Sequence, residues 1–353
     1  MPIIVPTPAP SSGAPKKTLE ERIRDGAPKR KSIWRDLRAL RHQPPGFAAR
    51  GERKRVFCAA LEQAEQLFEA SNSVGYSTRP ILLFYGMSQA GRAVAAASTH
   101  TKNNDWKLSG HGIGAIGLGQ TPRLRDLEIS NKGKGSFTQL ASILQCGSIP
   151  ASVKLGDVWS TIPELLELPL DGSSSTWRPV LSLDFQYPQN PSFCHGWIRN
   201  LPAAFGPTPR EQDIVEFLKS YPSLAKHRPA QDGYVACYID PTGGKVSVPR
   251  AWEWPRDKDV NKLYRSLTQA YRSEDDRWVF PALGGESRPL DPLLMWWAVL
   301  YALSMLARYD PANWRKWLEV NESPDAVPLE TALDIALEIC PHLIGQAIAR
   351  VAQ

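Results

Sequence analysis

Cysteine is scarce in this chain: Cys58, Cys146, Cys194, Cys237 and Cys340 are far apart, odd in number and never spaced C-x-x-C. That argues against a disulfide-stapled secreted framework and fits a reducing, cytoplasmic compartment. No signal peptide is expected either, because MPIIVPTPAPSSGAPKK has no basic n-region and its apolar patch is broken by proline. Long hydrophobic runs are also missing. The most apolar stretch, LLMWWAVLYALSMLA from Leu293 to Ala307, spans about 15 residues, short of a bilayer, and runs into Arg308. It reads as a core helix, and no membrane partner is expected.

Charge is present but unevenly placed. The net charge is +6, yet residues 1–55 hold 14 Lys and Arg against five acids, while the remainder holds 28 against 31. The body is close to neutral and the basicity belongs to an N-terminal arm. Such an arm suits a phosphate backbone or an acidic partner through counterion release, and it equally suits a solvated extension.

The pattern along the chain divides it into four parts. Residues 1–45 form a basic, proline-rich arm, expected to be largely disordered apart from a short amphipathic helix at SIWRDLRAL. Residues 46–170 read as a helical N-terminal part, in which Phe57, Leu61, Ala64 and Phe68 recur at helical spacing. RLRDLEIS reads as a strand, and GSFTQLASILQ and LGDVWSTIPELLEL as helices. Residues 171–290 turn β-rich, through WRPVLSLDFQ, GYVACYI, GGKVSVP and RWVFPAL. Residues 291–353 return to helix and are expected to pack on the N-terminal part. Helix, then strands, then helix, without regular alternation, indicates an α+β fold: a mainly helical body with a β-rich middle.

Three motifs invite chemistry. In ILLFYGMSQAGRAVAAAST, Gly86-Met87-Ser88-Gln89-Ala90-Gly91 resembles the nucleophile elbow of a serine hydrolase, with Asp184 as acid and His195 or His227 as base. An elbow needs a preceding sheet, however, and the upstream residues offer helices and an arm. Gly112-Ile113-Gly114-Ala115-Ile116-Gly117 is a literal G-x-G-x-x-G, but no buried strand precedes it and no long helix follows, so it reads as a flexible loop. Cys194-His195 are adjacent, which seldom chelates one zinc. No metal and no cofactor is expected.

Read as a helix, the stretch around Ser88 makes better sense. At about 3.6 residues per turn, Tyr85, Ser88, Gln89 and Thr99 all fall within about 60° of Arg92, and the rest of the circumference is apolar. That stripe either meets solvent or lines a polar cleft, and a buried arginine would need an anionic partner. His111, flanked by Gly110 and Gly112, can fold back from its loop toward such a helix, in a structural or a site role.

Several blocks together resemble the YaaC-like family of bacterial proteins: RPILLFYGMSQAGRAVAAAS, LSGHGI, GSFTQLAS, LGDVWSTIPEL, LYALSMLARYDPANWRKWL and SPDAVPLETALDIALEICPHLI. They run from about residue 52 to 348, and the first 45 residues lie outside them. The resemblance implies no settled activity, but it implies that the RPILLFYGMSQAGRA block is a helix packed in the body. A more distant resemblance is to HEPN-type helical domains, whose ribonucleases use an arginine and a histidine on one helix; Arg92 and His100 are spaced slightly too widely for that pattern.

The expectation is therefore an Arg/His site for a phosphate-bearing ligand, a nucleotide or RNA, with Arg92 and His111 as catalytic candidates in a metal-independent cleavage. Tyr85, Ser88, Gln89 and Arg308 are the ligand-binding candidates. The alternatives are a non-catalytic protein-interaction subunit, using the twelve tryptophans, and a serine hydrolase using Ser88.

Overall fold

The computed structural model describes residues 32–353 except 172–177, 187–192, 203–204, 206–209, 226–227, 230–237, 240–245, 248–249 and 256–259. The first 31 residues, on which the disorder expected for the arm falls, lie outside the described residues. Residues 32–40 form helix α1. It lies before the boundary drawn at residue 45, yet Trp34 and Leu37 are buried in the core, and Arg38 pairs with Glu65.

Two long helices follow, α2 (Gly51–Asn72) and α3 (Arg79–Ala97), and α3 is the stretch that resembled an elbow. Pro80 suits the first turn of α3, where its missing N–H has no intrahelical partner to lose. The helix runs unbroken through Gly86 and Gly91. Both glycines are there for close approach. A Cβ on Gly86 would sit 2.7 Å from the Phe68 ring of α2, and one on Gly91 would sit 2.5 Å from the ring of Trp297. Ser88 thus lies in mid-helix, with no strand-to-helix turn to lift its hydroxyl.

Beyond α3, β1 (Ile113–Ile116), β2 (Glu128–Asn131) and β3 (Val153–Lys154) make a three-stranded antiparallel sheet in that order. Within the glycine-rich segment, Ile113–Ile116 is therefore an edge strand, not part of the flexible loop its composition suggested. Pairing with β2 explains this, from Ile113 opposite Asn131 to Ile116 opposite Glu128, and Gly114 leaves room for the Lys132 stem to cross the strand. Helix α4 (Ser136–Ile143) follows as expected. LGDVWSTIPELLEL is not one helix: α5 (Leu155–Trp159) stops, and a 3-10 turn (Pro163–Leu165) begins after Ile162, which the following proline holds in an extended conformation.

The middle part carries β4 (Ser182–Gln186), β5 (Phe193–Arg199), α6 (Glu211–Leu218), β6 (Arg228–Pro229), β7 (Tyr238–Ile239), β8 (Val246–Ser247) and β9 (Arg250–Pro255). Then come α7 (Val260–Leu267), β10 (Gln269–Ala270) and β11 (Arg277–Trp278). The larger sheet has the order β4-β5-β9-β6, antiparallel throughout. Leu181, Leu183, Ile198, Ile214, Phe217 and Tyr221 form a small core of their own there. Cys194 and His195 fall on β5, where their backbones pair with Trp254 and Glu253 of β9.

Helices α8 (Pro292–Tyr309), α9 (Pro311–Trp317) and α10 (Ala326–Val351) complete the chain. Asp291 caps α8 by accepting from the Leu293 N–H, and its other oxygen pairs with Arg350 of α10. α8 is the core helix read from LLMWWAVLYALSMLA. By length and composition α10 is also apolar enough to cross a bilayer, but 67% of its most apolar window is buried within the protein, as in a core helix. The architecture is α+β, a mainly helical body with a β-rich middle.

Candidate functional site

Packing of α8 antiparallel on α3 builds the candidate site. Phe84 of α3 meets Trp297 and Tyr301 of α8 edge-on, with ring centroids 6.4 and 5.2 Å apart. One helical position further on α3, Tyr85 turns outward. Two turns beyond Tyr301 on the same face of α8, Arg308 reaches it, and its guanidinium lies 5.6 Å from the Tyr85 ring centroid. The same guanidinium lies 4.9 Å from the Tyr309 ring and donates to the Tyr309 hydroxyl at 3.0 Å. It makes no ion pair with a carboxylate among the described residues. The neighbouring Asp310 accepts instead from Asn313, at 2.9 Å.

His111 enters from the loop before β1. Its ring lies 5.7 Å from Phe84 and 6.0 Å from Tyr301, centroid to centroid, with its side chain in solvent. The loop is held there by α4. Phe137 N–H donates to the His111 carbonyl at 2.9 Å, and the Ser136 hydroxyl donates to that of Gly110 at 2.7 Å. Gly112 and Gly135 are in backbone contact, and Gly112 takes φ +70°, so a side chain at either would push the loops apart. Burial pushes the Tyr301 phenol above its usual pKa, with Tyr309 adding to the rise and the Arg308 cation opposing it.

The sequence-derived residues separate into two groups. His111 packs on Phe84 and Tyr301, Arg308 packs on Tyr85, and Phe84 links the two, its ring 5.5 Å from that of Tyr85. Ser88 and Gln89 lie half-buried along the solvent-facing stripe of α3, and Arg92 is fully on its exposed side. Arg92 sits seven residues beyond Tyr85, roughly 10 Å along the helix, and has no hydrogen bond or ion pair among the described residues. No contact joins it to His111. His100, exposed beyond the end of α3, has its backbone N–H bonded to Ser98 and brings no imidazole into the cluster.

Residues 32–348 match the sequence model of the family described as YaaC-like Protein. The chain belongs to the YaaC-like family. No curated protein and no solved structure matches it. The YaaC-like region starts at α1, twenty residues earlier than the sequence blocks indicated, in keeping with the burial of Trp34 and Leu37. The HEPN-type likeness gains no support from these comparisons. Among the described residues of this YaaC-like protein, no group of three His, Cys, Asp or Glu is placed to hold a metal.

Tyr301 and Tyr309 escaped the sequence reading. Their signal was present, since Tyr301 stands seven residues before Arg308 and Tyr309 directly after it. Only the antiparallel pairing of α3 with α8 shows that Tyr85 joins them. The arginine that does need a carboxylate was also missed: Arg79, buried at the start of α3, pairs with Asp334 of α10, donates to the Ser71 and Val74 carbonyls, and lies 4.5 Å from the Tyr76 ring centroid.

Proposed function

We propose that the face formed by Tyr85, His111, Arg308 and Tyr309 binds a phosphate-bearing ligand, a nucleotide or RNA. One observation carries this reading: a half-buried arginine is held between two tyrosine rings with no carboxylate paired to it among the described residues. Ring faces orient a guanidinium without satisfying its charge, and leave donors free for phosphate oxygens. The exposed imidazole of His111 adds a second donor, and the phenol rings of Tyr85 and Tyr309 offer stacking faces to a base.

The reading is binding rather than cleavage. A metal-independent ribonuclease needs its proton-transfer group and its charge-stabilising group on the same phosphate. Arg92, the candidate for the second role, lies two helical turns away from Tyr85. The test is titration of the purified protein with nucleoside mono- and triphosphates by calorimetry. Binding that is lost in Arg308→Ala and retained in Arg92→Ala is the expected result; no binding, or binding indifferent to Arg308, removes the proposal.

A further inference from the structure

We infer that the ligand of this face is a single-stranded nucleic acid lying across it, rather than an isolated nucleotide; the inference rests on the phosphate-binding reading above. The face is open. Tyr85, His111, Ile116 and Tyr309 are all exposed. A mononucleotide site is normally concave and encloses most of its ligand. An open strip of aromatic faces with flanking cations is the arrangement that holds a strand, whose bases stack while its backbone follows the positive charge.

The flanking cations come from the turn between β2 and α4. Lys132 and Lys134 are both exposed, and the turn is fixed beside His111 because Gly135 abuts the backbone of His111 and Gly112. The Lys132 N–H donates to the Gly112 carbonyl at 3.3 Å, and the Lys132 stem lies across Gly114 of β1. Neither lysine forms an ion pair among the described residues. The strand is placed from the turn carrying Lys132 and Lys134, past His111 on Phe84 and Tyr301, to the cluster of Tyr85, Arg308 and Tyr309. That path is cationic at both ends and aromatic between. Any base offers a π face, so the strip should read strandedness more than sequence.

Fluorescence anisotropy with labelled 12-nucleotide RNA and DNA, set beside calorimetry with UMP, tests this on the full chain. Both oligomers should bind at least about ten-fold tighter than UMP, the gain expected when a second base stacks. A Lys132→Ala/Lys134→Ala variant should weaken the oligomers several-fold, reduce the salt dependence by about one to two phosphate contacts and leave UMP binding unchanged. Those lysines are exposed, so folding is not at stake, and a melting curve verifies it. UMP binding as tight as the oligomers would overturn the strand inference while leaving the phosphate-binding reading standing. Loss of all binding would overturn both. A preference for RNA over DNA would place 2′-hydroxyl contacts on the strip, and equal binding would make stacking and charge sufficient; either supports it.

Discussion

The Arg308 guanidinium lies 5.6 Å from the centre of the Tyr85 ring, and this contact joins the last turn of α8 to α3 at the protein surface. The two residues are 223 positions apart. What brings them together is the aromatic seam of Phe84, Trp297 and Tyr301 beneath them. The seam is a stability element, and the pair above it is available for ligand.

Arg308→Ala should therefore separate function from folding. Nucleotide or oligomer affinity should fall by about ten-fold or more, as for loss of a charge-assisted contact. Stability should change little, since Arg308 makes no ion pair among the described residues. Arg308→Lys keeps the charge but loses the planar fork, and should restore only part of the affinity. Paired calorimetry and thermal melts measure both.

The two arginines of α3 should behave oppositely. Arg79→Ala removes a buried cation with carbonyl and carboxylate partners, and should cost about 2–3 kcal/mol in urea unfolding. Arg92→Ala, exposed and without a partner, should stay within about 0.5 kcal/mol of wild type. A sharp loss of stability in Arg92→Ala would show that the stripe is internal glue, contrary to its exposure.

Gly91→Ala tests why the elbow-like sequence exists. The added methyl would meet Trp297 at 2.5 Å and Leu140 at 3.2 Å. Trp297 is 1% exposed and cannot retreat, so overpacking of about 1–3 kcal/mol should outweigh the gain of about 1 kcal/mol in helix propensity. Ser88→Ala should be nearly neutral. A fluorophosphonate probe should fail to label Ser88 in the wild type; labelling that Ser88→Ala abolishes would revive the hydrolase.

A buried carboxyl gives a pH signature. Trp296 Nε1 donates to the Tyr271 hydroxyl at 2.9 Å, which donates in turn to Glu164 at 2.8 Å. Burial pushes Glu164 up to about 7, with Arg272 opposing the rise. Because the folded pKa is above the unfolded one, the stabilisation belongs to the protonated form. It is fully present below about pH 4.3 and lost as pH rises through about 7, a ceiling of about 4 kcal/mol. Glu164→Gln keeps an acceptor for Tyr271 and cannot titrate. The stability difference between wild type and variant should shift against wild type between pH 5 and pH 8; denaturant melts across that range that run parallel would contradict the assignment.

Helical spacing alone, in the sequence, determined that the stretch from 81 to 99 is helical, with Tyr85, Ser88, Gln89 and Arg92 along one stripe; the helix itself runs Arg79–Ala97 and stops short of Thr99. It also determined that Leu293 to Ala307 is a core helix, because local periodicity records which face is apolar whatever the partner. The sequence could not determine that Ile113–Ile116 is a strand, since a glycine-rich edge is stabilised by pairing with β2, a neighbour remote from its own pattern. Nor could it show that LGDVWSTIPELLEL breaks at Ile162, or that the aromatic-rich β5 and β9 pair within one sheet. The site divides in the same way. His111 and Arg308 stood out by residue type and position, but the contact of Arg308 with Tyr85, the seating of His111 on Phe84 and Tyr301, and the separation of Arg92 follow from the antiparallel packing of α3 on α8. That packing is set by Gly91 against Trp297 and by Phe84 against Tyr301, contacts between residues some two hundred positions apart that no local pattern encodes.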